Sequence, residues 1–436
     1  MKKYFVIAAA AALVLGACSK NEVNLNETAS NAVSFGVYVP RTTAVKAGSD
    51  GIISTAQILA NKGGFGIFAY HTDGTTYAAA AIKPNFMYNQ HVEGTDAAAP
   101  VWSYSPIKYW PNEFGTNAAS TNVDRLSFFA YGPYVEVTPA TGIPTANPVG
   151  QGITALSTNA AAGDPVVSYE VADTDPAGAV DLVWGVASST EASAVQNAPT
   201  LVEGKPYIDM TKQTTNGKVT FNFRHALTGV GVNVQAFFDD VNNPSNFTDE
   251  STGTLAAGTK ITIESVTLSG FDYYATGDLN LNNTAANTPK WENLPAAAAS
   301  FAITGAIAAT LKDSGAAEEQ TVAGVTKTKV NLITGVAPAA TDPYYMLIPT
   351  GNNTDAVTVE IVYYVTTVDG NLDGGISRVQ NDIKKESITL QLVAGKKNTL
   401  NLVLGMTTVK VDATVTDWEN GNEADVDLPV NVTPAP

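Results

Sequence analysis

Short runs in which apolar and polar residues alternate recur along this chain and limit what it can fold into. In the first run, Val33, Phe35, Val37 and Val39 alternate with small or polar residues, which is the period of a half-buried β-strand. Helical patterns are sparse: residues 55–61 are predicted to form a short helical turn, and the alanine-rich stretch 296–310 is ambiguous. The chain is therefore predicted to be all-β, with antiparallel sandwiches rather than a parallel α/β sheet. Turn residues separate further predicted strands at 66–70, 126–131, 219–223, 230–234, 260–268, 357–368, 387–393, 400–404 and 409–415.

The N-terminus carries the pattern of an export signal that ends at a lipidation site. Lys2 and Lys3 precede an apolar core over residues 4–15, and small residues then lead to Cys18. The apolar run is shorter than a membrane-spanning helix requires. This bacterial lipobox predicts cleavage before Cys18 and acylation of that residue, which anchors a protein by about 0.8 kcal/mol for each buried CH2 group. The alternative is an ordinary cleaved signal followed by a chance cysteine.

Composition narrows the class of protein further. Cys18 is the only cysteine, so no disulfide can form within a monomer. The chain has 24 Lys+Arg against 41 Asp+Glu, a formal net charge of −17, which argues against nucleic-acid binding because phosphate contacts need clustered basic residues.

Polar residues 19–31 are predicted to be a flexible tether. The length after export suits two or three domains, and a polar stretch near residue 212 predicts a boundary.

Residues with catalytic or metal-binding potential are few. His71, His91 and His225 lie far apart and lack the local spacing of a zinc site, and His225 is predicted to be structural. Residues 369–374 match the first half of a calcium loop, but Gln380 stands where that motif requires a bidentate glutamate, so a hairpin loop is predicted. No catalytic motif occurs. The chain is predicted not to be an enzyme and to hold no cofactor and no metal.

An aromatic segment over residues 102–111 has two interpretations. Trp102 and Trp110, with the tyrosines between them, could form an exposed platform for sugar stacking, or they could fill a sandwich core and cover a sheet edge. The first interpretation would make the chain a surface glycan-binding lipoprotein of a polysaccharide-uptake system. A hydrolase is a third possibility, which would need paired carboxylates that converge in one pocket.

The order and spacing of several short segments resemble the fimbrillin family, the lipoprotein pilins and pilin-like proteins of the Bacteroidales. The resemblance covers nearly the whole chain. The segments that carry it are the lipobox at Cys18, the strand 33–39 ending before Arg41, residues 102–104 and 108–111, 126–131, 181–183, 223–227, 276–280 and 415–418.

The resemblance implies two transthyretin-like antiparallel β-sandwich domains in tandem and a role as a structural subunit of cell-surface fimbriae that support adhesion. The implied segments are a signal peptide (1–17), a lipidated tether with the N-terminal strand (18–41), an N-terminal domain (42–212) and a C-terminal domain (213–436). The lipidated precursor would reach the outer membrane and then join other fimbrial subunits by strand exchange. A host or bacterial surface ligand is a further implied partner.

Strand exchange in the family begins when an arginine-specific protease removes the N-terminal strand. Arg41 stands just after the predicted strand, so the cut would fall between Arg41 and Thr42. The alternative is that Arg41 is simply a solvated charge. The vacated groove would have held four side chains, and burying them is worth about 6–12 kcal/mol as an upper bound. These groove-filling side chains are Val33, Phe35, Val37 and Val39.

A strand from the next subunit is then implied to fill the groove. Near the C-terminus four apolar residues alternate with Asp427, Pro429 and Asn431, and this run is a candidate donor strand. Pro429 cannot donate to a β-ladder and is confined to edge positions. The alternative is a frayed tail over residues 420–436. The apolar residues of the candidate donor strand are Val426, Leu428, Val430 and Val432.

Overall fold

The fold was obtained as a computed structural model, and it is all-β, as predicted. Cys18, Val39, Arg41, Thr42 and the candidate donor strand lie outside the described residues. Among the described residues, no helix has the length and apolar character of a membrane span. The structure describes residues 32–38, 53, 55–73, 75–79, 81–111, 124–146, 152–172, 178–191, 200–215, 217–237, 260–300, 309–310, 318–322, 325–331, 344–351, 353–404 and 409–417.

The described regular elements are 24 strands, two short helices and one 3-10 turn, Tyr77–Ala79. The helices are α1 (Ala56–Asn61) and α2 (Lys212–Thr215). The strands are β1 (Ser34–Val37), β2 (Phe65–Thr72), β3 (Met87–Gly94), β4 (Trp102–Ser103), β5 (Arg125–Gly132), β6 (Gly152–Leu156), β7 (Val166–Glu170), β8 (Val183–Ala187), β9 (Tyr207–Met210), β10 (Lys218–His225), β11 (Thr228–Phe237), β12 (Lys260–Ser269), β13 (Asp272–Tyr274), β14 (Thr276–Asn280), β15 (Lys290–Glu292), β16 (Ala299–Ser300), β17 (Ala309–Thr310), β18 (Glu318–Val322), β19 (Val325–Asn331), β20 (Tyr345–Pro349), β21 (Asn353–Val368), β22 (Ile376–Gln391), β23 (Lys396–Leu404) and β24 (Val409–Asp417).

The first sheet has the strand order β1-β10-β8-β5-β2-β3-β4, with β9 paired to β5. Its central strands are buried on both faces, because Phe65 and Phe128 fall in one apolar core while Phe68 and Phe129 fall in another. Strands covered on both faces carry apolar residues at successive positions. This explains why β2 and β5 are almost continuously apolar rather than strictly alternating.

Two further sheets belong to the C-terminal half. One has the order β16-β13-β20-β11-β19-β18, and β23 extends it by pairing in parallel with β11 and antiparallel with β24. The other has the order β17-β12-β21-β22. The strands predicted at 357–368 and 387–393 belong to β21 and β22, which pair as one long hairpin; each has 16 residues, and the second begins at Ile376, earlier than predicted.

A fourth sheet, β15-β14-β7-β6, joins the two halves of the chain. Strand β7 pairs antiparallel with β14 over five residues, and Leu279 faces Val167 across that pair. Leu279 is fully buried in a core cluster that also contains Trp184 from the N-terminal half and Leu347 from the C-terminal half. A shared sheet and a shared core therefore connect the halves.

The predicted boundary near residue 212 falls just before a strand of the first sheet. Strand β10 pairs with β8 and β1, so the first sheet extends to His225. The division of the chain into 42–212 and 213–436 stays a prediction. The predicted helical turn is confirmed: α1 is capped by Thr55, whose Oγ1 accepts a hydrogen bond from the Ile58 amide at 3.1 Å.

Two consecutive glycines turn the chain from α1 into β2. Gly63 and Gly64 have φ values of 95° and 75°, in the region that only glycine adopts readily. A Cβ atom on Gly64 would lie 2.1 Å from the Val92 carbonyl oxygen, whereas one on Gly63 would meet no atom within 4 Å. An alanine would therefore have a strained backbone at either position, but only at position 64 would its Cβ atom collide with the neighbouring strand.

Alanine at these two positions separates the two effects. We expect Gly63→Ala to lower the free energy of unfolding by about 1–2 kcal/mol, the cost of a strained dihedral. Gly64→Ala carries the same cost and also forces the β3 backbone to move, which adds roughly 1–3 kcal/mol. Urea denaturation of both variants measures the difference, and equal midpoints would contradict the close approach.

Buried tyrosine hydroxyls make the fold sensitive to high pH. Burial is the main cause that raises the pKa of five tyrosines above the ordinary value: Tyr70, Tyr77, Tyr131, Tyr169 and Tyr207. The folded chain keeps protons that the unfolded chain releases near pH 10, so the contribution of these tyrosines to stability is fully present below about pH 10 and is lost as the pH rises above it.

We expect phenolate absorbance from these tyrosines to appear together with loss of circular dichroism as the pH rises above about 10. The measurement is a titration of absorbance at 295 nm and ellipticity on the same sample. A complete absorbance change with intact ellipticity would show that the hydroxyls are accessible in the folded chain.

Candidate functional site

The first strand fills the gap between the two ends of the first sheet. On one side β1 pairs in parallel with β10, with Ser34 opposite Lys218 and Val37 opposite Phe221. On the other side the Val33 amide donates to the Lys108 carbonyl at 2.9 Å, in the segment that follows β4. Because β10 and β4 lie towards opposite ends of the strand order, β1 closes the sheet.

The buried face of β1 belongs to the core of the first sheet. Val33 is 2% exposed and Phe35 is 5% exposed, while Val37 is half-buried. The Phe35 ring lies 5.9 Å from the Phe128 ring and 6.4 Å from the Phe221 ring, within the range of favourable aromatic pairs. Burial of the three side chains is worth about 4–9 kcal/mol as an upper bound. The groove beneath β1 is therefore deep and apolar.

Tyr104 holds the second side of β1. Its ring lies 5.2 Å from that of Phe35, and its hydroxyl donates to the Val33 carbonyl oxygen at 2.8 Å. Burial raises the pKa of the Tyr104 hydroxyl, so this group remains a protonated donor. We call the segment after β4 that lies beside β1 the seam. The described contacts between them include the Val33 amide, the Tyr104 hydroxyl and a bridge between Ala32 and Tyr109.

The backbone amides of β1 alternate between its two neighbours. Ser34 and Tyr38, whose side chains point away from the core, donate to the Gly217 and Phe221 carbonyls at 3.4 and 2.7 Å. Val33, whose side chain points into the core, donates to the seam instead. Amides next to outward side chains therefore face β10, and the amide of inward Val33 faces the seam.

Ile53 lies beside a buried hydrogen bond between Asp181 and His225. The Ile53 amide donates to Asp181 Oδ2 at 2.7 Å, and His225 Nδ1 lies 3.0 Å from the same carboxylate. Both partners are buried, and they link the start of β8 to the end of β10. His225 therefore has the structural role that the sequence predicted. His71 and His91 contact different residues, Asp124 and Glu93.

The aromatic segment 102–111 forms part of the groove wall. Trp110 is 5% exposed and donates from Nε1 to the Gly217 carbonyl at 3.1 Å. Trp102 packs against Phe65 with ring centroids 4.9 Å apart. Tyr109 of the same segment is, by contrast, 62% exposed to solvent. The two tryptophans do not form an exposed platform, so the glycan-binding alternative is not supported.

The calcium-like segment is the turn of a hairpin, as predicted. It connects β21 to β22, and the Asn371 amide donates to Asp369 Oδ1 at 3.0 Å, which is a local turn contact. Within the described ranges, no group of three or more His, Cys, Asp or Glu side chains is placed to hold a metal ion.

An open cleft of about 400 Å³ lies where the halves meet. Its lining includes Val202, Ile208, Asn283 and Lys205, whose Nζ donates to the Thr284 carbonyl. Among the described residues that line this cleft there is no carboxylate, and thus no pair of acids such as a glycosidase would need.

Val33 and Phe35 are buried as the alternating pattern predicted, but the residues that surround them were not predicted from the sequence. Tyr104 and Lys108 contribute a hydroxyl and a backbone carbonyl from an irregular segment, and Phe128 and Phe221 come from strands distant in sequence. Nothing in the local pattern of these residues distinguishes them from other core or loop residues. Only the pairing of β1 with β10 brings them together.

Comparison with known proteins places this architecture among fimbrial proteins. The fimbrium subunit Fim1C of Phocaeicola vulgatus is 29% identical over 224 residues, which are 50% of this chain and 48% of that protein. The chain thus matches about half the length of this curated relative. A crystal structure of a fimbrial protein from Bacteroides vulgatus shares the fold, with a TM-score of 0.53 at 22% identity over 89% of this chain and 99% of the other.

No protein-family model matches the chain. The relatives are fimbrial proteins and not enzymes, in agreement with the prediction that the chain has no catalytic function. The sequence motifs predicted a resemblance to fimbrillins, and that resemblance is confirmed: the chain is similar in sequence and in fold to fimbrial proteins of the Bacteroidales.

Proposed function

We propose that this chain is a structural subunit of cell-surface fimbriae that support adhesion. It is exported as a lipoprotein acylated at Cys18, reaches the outer membrane, and is cut between Arg41 and Thr42. The cut releases the lipid together with the strand that carries Val33, Phe35, Val37 and Val39. A donor strand from another subunit then fills the groove.

One observation carries this proposal: the strand that ends just before Arg41 closes the sheet over an apolar groove. Val33 and Phe35 are buried there, and β1 ends at Val37, four residues before Arg41. A cut at Arg41 separates this strand covalently from the rest of the sheet. An exposed apolar groove beside unpaired backbone groups favours pairing with another strand.

The candidate donor strand matches the groove in chemistry and period. Val426, Leu428, Val430 and Val432 alternate with polar residues or proline, as the groove-filling residues of β1 alternate with Ser34 and Gly36. Four apolar side chains would replace those that leave with the N-terminal strand. The partners implied are further copies of this chain or other fimbrial subunits, and the similarity to Fim1C supports this assignment.

The experiment is limited digestion of the purified precursor with an arginine-specific protease. We expect a new N-terminus at Thr42 and, after the cut, a ladder of polymers on non-boiled gels. The control is Arg41→Lys, which keeps the positive charge but removes the cleavage site, and it is expected to stay uncut and monomeric. A second measurement is the N-terminal residue of the protein recovered from cells, which would be lipidated Cys18 or Thr42.

Two outcomes would oppose the proposal. A precursor that is cut at Arg41 but remains monomeric would argue against strand exchange. A precursor that resists the protease at Arg41 while other arginines are cut would argue against release of the N-terminal strand, and would instead suit a permanently anchored subunit.

A further inference from the structure

We propose that residues 426–432 of a second copy enter the groove antiparallel to β10, in the direction opposite to that of β1. This inference rests on the proposed strand exchange and specifies the direction and the register of the incoming strand. It follows from the backbone geometry of β1 and from the position of Pro429.

The direction of a strand decides which neighbour its amides face. In β1, which runs parallel to β10, the amides of outward residues Ser34 and Tyr38 donate to β10, and the amide of inward Val33 donates to the seam. Turning a strand around while keeping the same side chains inward exchanges these two sides. In the reversed direction, inward residues donate to β10 and outward residues face the seam.

Pro429 distinguishes the two directions. The apolar residues at 426, 428, 430 and 432 must point inward to fill the groove, so Pro429 points outward. In the direction of β1, Pro429 would face the β10 ladder and leave one β10 carbonyl without a donor, since proline has no amide proton. In the reversed direction Pro429 faces the seam, so its missing amide proton leaves no β10 carbonyl without a donor.

The reversed direction also suits the groove edge of β10. Val219 and Phe221 of β10 are buried and oppose Phe35 and Val37. The Phe221 carbonyl already faces the groove, since it accepts from Tyr38. An antiparallel donor places its inward residues opposite these inward residues as hydrogen-bonded pairs, so Leu428 and Val430 each bond β10 through their own amides.

The register then sets which donor residue lies opposite Lys218, the exposed first residue of β10. In β1 this place belongs to Ser34, between inward Val33 and Phe35. In the reversed direction Val432 and Val430 take the places of Val33 and Phe35. Asn431, which lies between them in the donor, therefore takes the place of Ser34. In the direction of β1, Asp427 would take it.

Disulfide cross-linking reads this register directly. Cys18 leaves with the N-terminal strand, so the processed chain has no native thiol. Neighbouring residues on paired strands are within the 4.4–6.8 Å between Cα atoms that a disulfide allows. We expect processed K218C/N431C to form disulfide-linked ladders on oxidation, and the matched K218C/D427C variant to form polymers without such links.

Backbone methylation of a donor peptide is an independent test. A peptide of residues 424–434 competes for the groove of the processed chain, and methylation of one amide removes one donor at a time. We expect N-methyl-Val430 to weaken competition by about tenfold, because that amide bonds β10. N-methyl-Asn431 is expected to compete like the unmodified peptide.

The outcomes separate this inference from the proposed function. Disulfide links in K218C/D427C instead of K218C/N431C, or a loss confined to N-methyl-Asn431, would establish the direction of β1 and overturn the inference. Polymers that link through neither pair would overturn the register. Failure of the processed wild-type chain to polymerise at all would count against the proposed function itself.

Discussion

Phe35→Ala should lower the free energy of unfolding of the unprocessed chain by about 3–5 kcal/mol, the cost of removing a buried phenylalanine ring. The ring contacts Tyr104, Phe128 and Phe221, and it closes the core beneath β1. Its loss leaves a cavity that the surrounding rings fill only in part. The measurement is urea denaturation of the precursor followed by tryptophan fluorescence.

The matched control is Tyr38→Ala, in the same segment but 44% exposed, for which we expect a change within about 0.5 kcal/mol. After cleavage at Arg41 and removal of the N-terminal strand, wild type and Phe35→Ala become the same polypeptide and should have the same stability. A Phe35→Ala precursor as stable as wild type would mean that β1 contributes little to the core.

Leu279→Ala should lower the free energy of unfolding by about 2–5 kcal/mol and should affect both halves of the chain. Leu279 is fully buried, and it faces Val167 of β7 and Trp291 of β15 in the sheet that joins the halves. Because one core cluster spans both halves, we expect wild type to unfold in a single transition. Fluorescence and far-ultraviolet circular dichroism should therefore give coincident urea curves.

Thr276→Ala is the control for this joint, since Thr276 lies in the same strand with its side chain exposed. We expect it to change stability by no more than about 0.5 kcal/mol. Two separate transitions in wild type, of which Leu279→Ala shifts only one, would show that the halves unfold independently.

The sequence predicted which residues form strands better than it predicted which strands pair. Alternation identified β1, β10, β12 and the β21–β22 hairpin, because it reports which face of a strand is buried. It carries no information about the neighbour on either side. The parallel pairing of β1 with β10 and the pairing of β7 with β14 were therefore not predictable.

For the same reason, the sequence did not predict which residues line the groove. Val33 and Phe35 were predicted as groove-filling residues because they alternate, and they are buried. Tyr104, by contrast, lies in a segment for which a glycan-binding alternative remained open. Its contact with the Val33 carbonyl depends on the closure of the first sheet, which arises only when residues more than 70 positions apart meet.

The strand in the groove and the sheet that it closes belong to one polypeptide, in which β1 ends at Val37 and β2 begins at Phe65. Pairing within one chain is intramolecular, and a short covalent connection gives an effective concentration on the order of millimolar. A free donor strand at roughly micromolar concentration would compete against an occupant about a thousandfold more concentrated. Cutting the covalent connection removes this advantage at once, so a single peptide bond would time assembly without any change in the affinity of either strand.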